Sequence, residues 1–150
     1  MRYESVGTKW CHVRWLTYRR REHFKIAATA RFCERALQDA CAGLGWSVDA
    51  IAVLPDGVQL LAIVPAALTR EQILEQIRTA ATRVAKRAGV GSTGPKQVWE
   101  DNWWCAVLTN AAAVAAVRRH IAARSQSVWA GSNTPVEPVE RVAAADAEPG

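Results

Sequence analysis

The chain lacks most of what marks membrane, secreted and metal-stapled proteins. No apolar run approaches the roughly 20 residues that a membrane helix needs. The opening stretch MRYESVGTKW lacks the apolar segment of a secretory leader. The four cysteines, Cys11, Cys33, Cys41 and Cys105, are scattered, with no C-x-x-C spacing. They read as buried thiols of a reducing compartment, not as a zinc site or a disulfide framework. These absences point to a soluble cytoplasmic protein without a membrane partner. Tyrosine is scarce, with Tyr3 and Tyr18 alone. Glu100 and Asp101 are adjacent, so on a strand they face opposite ways and form no catalytic pair.

What is present suits one domain with its own core. The 150 residues are half hydrophobic and 22% charged. Charge is unevenly placed. The whole chain carries a formal +5, but residues 132–150 hold four acidic residues and one arginine. The body, 1–131, therefore has 18 basic and 10 acidic residues, a net +8. Such a surface suits an acidic partner, nucleic acid first, or serves solubility alone. Seven tryptophans add base-stacking candidates to what is otherwise core material. The Pro-, Ala- and Glu-rich segment 132–150 has no apolar periodicity and reads as a disordered acidic tail.

Thr8 to Tyr18 alternates and predicts a strand. Helical spacing runs from about Ala28 to Ala42, with Gly43 and Gly45 ending it. Trp46–Leu54 and Val58–Val64 flank the short turn Pro55-Asp56-Gly57 and predict an antiparallel hairpin. Thr69 and Gln72 form a capping box for a second helix, striped by Ile73, Leu74, Ile77, Val84 and Ala88. Gly89–Pro95 reads as a flexible loop and not as a phosphate loop, since it lacks the Gly-Lys-Ser/Thr ending. Gln97–Leu108 predicts a fourth strand, and Asn110 caps a third helix to about Ala123, with Val114, Val117 and Ile121 inward. The first six elements match an α+β, ferredoxin-like split βαβ sandwich. That fold has a four-stranded antiparallel sheet with helices on one face. The extra C-terminal helix can return across the free face.

Several local sequences sit in a telling order. They are the strand Cys11-His12-Val13-Arg14-Trp15-Leu16 with its basic turn Arg19-Arg20-Arg21, then Gly45-Trp46-Ser47-Val48, then Leu54-Pro55-Asp56-Gly57-Val58-Gln59, then Val98-Trp99-Glu100. Together they resemble the single-tyrosine HUH transposases of the insertion-sequence and REP-associated type, over about residues 8 to 131. The resemblance implies two histidines two apart on a strand, holding Mg2+ or Mn2+ against a scissile phosphate. It also implies a helix tyrosine that attacks single-stranded DNA to form a phosphotyrosine link, and a homodimer. The matching positions here are Gly57 and Gln59 for the histidines, His120 for the tyrosine and Arg124 for the third ligand. Glycine offers no ligand, glutamine offers a neutral amide, and a guanidinium cannot ligate a cation. The expectation is a catalytically degenerate member with no metal and no intact catalytic residue.

DNA binding, to single strands or hairpins, is the activity that survives such losses. The candidate contacts are Arg19, Arg20, Arg21 and Lys25 after the first strand, and Arg78, Arg83, Lys86 and Arg87 on the second helix. Arg118 and Arg119 on the third helix join them, with Trp103 or Trp104, whichever is exposed, as a stacking platform. Two alternatives stand beside this reading. One is a non-enzymatic dimerising interaction module that keeps only the fold. The other is an active single-strand transposase or nuclease with an unrecognised site, for which His120 is the available nucleophile.

Overall fold

The computed structural model describes residues 7–90 and 97–129. The tail at 132–150 and most of the Gly89–Pro95 loop lie outside the described residues. In chain order the elements are β1 (Thr8–Leu16), α1 (Ala27–Gly43), β2 (Ser47–Leu54), β3 (Gly57–Pro65), α2 (Arg70–Arg87), β4 (Trp104–Leu108) and α3 (Ala111–Trp129). The four strands form one sheet in the order β2-β3-β1-β4, every pairing antiparallel. This is the α+β split βαβ arrangement expected from the element order.

Local chemistry explains the boundaries. Gln72 N–H donates to Thr69 Oγ1 at 3.1 Å, and Thr69 N–H donates to Gln72 Oε1 at 2.8 Å, so the capping box is complete. Gly43 is the last residue of α1, and the turn after it is made by Gly45 at φ +83°, where a Cβ would be strained. Asn110 Oδ1 accepts from Ala113 N–H at 2.8 Å and opens α3.

Helices pack on both sheet faces. Cys11, Val13 and Trp15 of β1 and Val58, Leu60, Ala62 and Val64 of β3 meet Cys33 and Leu37 of α1 and Ile73, Ile77 and Val84 of α2. The opposite face is smaller. There Ala52, Leu54 and Leu61 pack under Val114 and Ile121 of α3, as the apolar spacing predicts. An irregularity between Val48 and Ala50 in β2 leaves Asp49 without a register partner on β3. Its carboxylate takes Arg118 of α3 through Nε, 2.7 Å, and Nη2, 3.3 Å. All four cysteines are buried free thiols. Burial pushes Cys33 up to about 11 and Cys41 up to about 12. No helix among the described residues is long and apolar enough to cross a membrane.

Three elements depart from expectation. β1 ends at Leu16, and Tyr18–Arg20 forms a short 3-10 turn, so Tyr18 is helical in that limited sense. β4 begins at Trp104, seven residues later than the predicted strand. A strand from Gln97 would carry Trp99, Asp101 and Trp103 on one face. That face is the core, and burying an unpaired carboxylate there is costly. The chain instead bends at Asp101, which stays exposed while Trp99 and Trp103 are buried. Glu100 and Asp101 are therefore not strand residues. α3 runs nearly two turns past Ala123 among the described residues, and Trp129 Nε1 donates to Val53 O at 3.1 Å.

Few side chains hold α3 to the sheet, and Ile121 is 1% exposed among them. Ile121→Ala should cost about 2–5 kcal/mol, read as a lower midpoint in chemical denaturation. A change near zero would show that the rest of the fold is indifferent to α3.

Candidate nucleic-acid interface

The positions matched to the histidine pair lie at the start of β3, on the face that α3 partly covers. Gly57 pairs with Leu16 at the end of β1. A Cβ at position 57 would lie 2.8 Å from Trp15 O and 2.9 Å from Leu16 Cδ2. Glycine is thus required by the approach of two backbones, not by a positive φ. Gln59 is buried beside β1, and its Oε1 accepts from His12 Nε2 at 3.2 Å. Burial holds the His12 imidazole below its ordinary value. The charges of Arg14 and His120 push the same way, and the Gln59 hydrogen bond opposes them. His120 and Arg124 stand one turn apart on α3, both exposed.

His12 shares a face of β1 with Trp10 and Arg14 by strand parity, and the structure adds Trp104. Arg14 and Trp104 are register partners across β1 and β4. The guanidinium carbon lies 4.3 Å from the indole centroid, and the His12 ring meets the same indole edge-on at 5.1 Å. Trp104 remains 40% exposed. Its neighbour Trp103 is buried and stacks on Trp15 with centroids 4.4 Å apart. Of the two tryptophans, Trp104 is therefore the accessible one. Arg14 carries no role in the sequence argument. Register across β4 is what reveals it.

The predicted basic residues are all exposed, but they fall into separate groups. Arg19, Arg20, Arg21 and Lys25 follow β1. Arg19 and Arg20 both sit at φ +56°, a left-handed conformation that costs an L-residue about 1–2 kcal/mol. Thr17 Oγ1 donates to Arg21 O at 2.6 Å, and Arg20 pairs with Asp56 at 2.8 Å, so the turn is held from within. Arg83, Lys86 and Arg87 lie on α2, with Arg87 5.8 Å from the Phe32 ring of α1. The basic turn leads into that same end of α1, so these two groups share one end of the sheet. Arg118, Arg119 and Arg124 belong to α3 on the opposite sheet face. Arg118 is already bound to Asp49, and Arg78 donates to Asp101 O at 2.9 Å.

No family model matches the chain, and no curated protein does. Solved structures do. A candidate transposase from Deinococcus radiodurans is similar with a TM-score of 0.60 at 17% identity, over 83% of this chain and 96% of that one. A REP-associated tyrosine transposase bound to a REP hairpin gives a TM-score of 0.54 at 16% identity, over 81% of this chain and 67% of that one. At such identities the likeness is one of fold, and the fold is that of these transposases.

Two outcomes follow from this geometry. Gly57→Ala should lower stability by about 1–3 kcal/mol through the contact with Trp15 O, and Gly57→His by more. An unchanged denaturation midpoint would mean that β1 and β3 separate freely. The second concerns pH. His12 and His23 are both held below the unfolded value of 6.5 in the folded state, chiefly by burial. The unfolded chain then binds more protons just below 6.5, so stability is present above that pH and lost as pH falls through it. Melting temperature should drop across this window, and less steeply in His12→Gln. An identical acid slope in that variant would remove His12 from the account.

Proposed function

We propose that this protein binds single-stranded or hairpin DNA and does not perform the metal-dependent phosphotyrosine chemistry that its resemblance implies. The observation that carries the binding reading is the Arg14–Trp104 pair. It offers an exposed indole with a guanidinium over it, on an open part of the sheet face beside the basic turn. An aromatic platform with an adjacent cation takes a base and its phosphate together. The neighbour bound to a REP hairpin supports DNA as the partner. So does the net +8 of residues 1–131.

The chemistry argument rests on donors. Any Cβ at position 57 would crowd Trp15 O at 2.8 Å, and the Gln59 amide oxygen is engaged by His12. Arg124 puts a cation where a third ligand would be needed. These residues do not fit Mg2+ or Mn2+. Histidines placed at 57 and 59 with a tyrosine at 120 should therefore fail to restore cleavage. A second reading, the dimerising module, is favoured by one feature. β4 is an edge strand with Trp104 and Val107 exposed at 40% and 41%, and unpaired edges of this kind invite a second chain.

Binding of hairpin and linear oligonucleotides across a salt series tests the proposal. About four phosphate contacts at −0.7 each give a log–log slope near −3. Replacing Arg83, Lys86 and Arg87 together by alanine should weaken binding and flatten the slope. Trp104→Ala should weaken it by about 1–3 kcal/mol with little change in slope. No covalent protein–DNA adduct should form with either metal. Failure of every oligonucleotide at low salt would overturn DNA binding and leave the interaction module. An adduct above background would restore the enzyme.

A further inference from the structure

On the α1/α2 side of the sheet, the bend before β4 creates a cleft of about 280 Å³ between α2 and residues 97–103. That is near the lower end for ligand sites, roughly 300–1,000 Å³, and suits one planar ring system better than a chain. Trp103 lines it and backs onto the buried Trp15. Trp15 and Trp103 are nearly parallel, 9° apart. The Arg78 guanidinium carbon lies over the Trp103 ring, 5.2 Å from its centroid. Arg78 is held there by its bond to Asp101 O, 2.9 Å. It makes no ion pair among the described residues, and its side chain is exposed at the end of the stack.

Charge decides what such a cleft takes. Among the described residues that line it, Arg78 is the one cation, beside the carboxylates of Glu100 and Asp101. The two carboxylates oppose a phosphate and favour a ligand that donates hydrogen bonds. Asp101 Oδ1 accepts from Gln97 Nε2 at 3.2 Å, and Oδ2 has no hydrogen-bond partner among the described residues. An ionised carboxylate only accepts. It therefore suits the amino-bearing edges of cytosine, adenine and guanine, and opposes the carbonyl edge of thymine.

We propose that this cleft holds an unpaired nucleobase, stacked on the Arg78 guanidinium and giving its exocyclic amino group to Asp101. Arg78 is then a stacking platform, not a phosphate clamp. The inference rests on the DNA-binding reading above and adds a base preference to it.

Affinities for oligo(dC) and oligo(dT) across a salt series, with Arg78→Ala, Arg78→Lys and Asp101→Asn, test it. The parent protein should prefer oligo(dC). Both Arg78 variants should weaken oligo(dC) binding roughly tenfold, the scale of one lost stack, with the salt slope and melting temperature unchanged. Lysine fails here because it keeps the charge and loses the plane. Asp101→Asn should bring the two affinities together. Full affinity in Arg78→Lys, a slope shallower by about 0.7 in Arg78→Ala, or equal parent affinities would overturn the proposal. If binding persists and still depends on Arg83, Lys86 and Arg87 in those cases, only the cleft is wrong. If no oligonucleotide binds, DNA binding and the cleft fall together.

Discussion

The two-residue period of β1 is the constraint on which the rest depends. Cys11, Val13 and Trp15 point into the larger core, and Trp10, His12 and Arg14 point to the α3 side. β1 lies between β3 and β4, so its register sets both neighbours at once. On one side Trp15 carries Trp103. On the other, His12 holds Gln59 and Arg14 covers Trp104. A slip of one residue would exchange the two sets, burying Arg14 and exposing Trp15. The strong apolar set in β1 makes that slip prohibitive. The polar shelf is thus positioned by the core behind it.

Much of this was readable from local pattern. The hairpin at Pro55-Asp56-Gly57, the capping box at Thr69 and the α3 stripe at Val114, Val117 and Ile121 each depend on residues near one another in sequence. The misreadings have a common cause, which is tertiary demand. Gln97–Leu108 alternates well enough for a strand, yet parity would bury Asp101 between two core tryptophans. Beyond Ala123, α3 continues through Ser125-Gln126-Ser127 to Trp129, whose indole reaches Val53 far away in sequence. The His12–Gln59 bond needs the β1–β3 register, and the Arg14–Trp104 pair needs the β1–β4 register. The order of elements carries the fold. The site is built from pairings that no single segment contains.

Trp103 and Trp104 place the two proposed contact surfaces on opposite sides of one strand end. Neighbouring strand residues project to opposite faces, so Trp104 meets Arg14 on one side and Trp103 meets Arg78 on the other. Each indole carries a guanidinium, and both sites lie at the β4 edge. A single strand passing over that edge could reach both without unfolding anything. The intramolecular bonds of Arg20, Arg78 and Arg118 do not disqualify them as contacts. A cation already fixed by Asp56, Asp101 or Asp49 loses less side-chain entropy on binding. A carboxylate beside it also lowers its attraction for phosphate. Arg83, Lys86 and Arg87, which make no ion pair among the described residues, are better phosphate partners than the fixed arginines.

The packing at Gly57 gives the binding reading its physical depth. A histidine pair two apart on β3 would send both side chains to the α3 face. Position 59 could accept one at the expense of the His12 bond. Position 57 could not without a shift, because a Cβ there would lie only 2.8 Å from Trp15 O. Relief would require β1 to move away from β3 at Leu16. Trp15 and Arg14 sit within two residues of that point, so the same movement would loosen the Trp15–Trp103 stack and shift Arg14 from Trp104. A ligand set at 57 and 59 and the present aromatic shelf therefore compete for one stretch of backbone. In this chain the close approach of β1 and β3 favours the shelf.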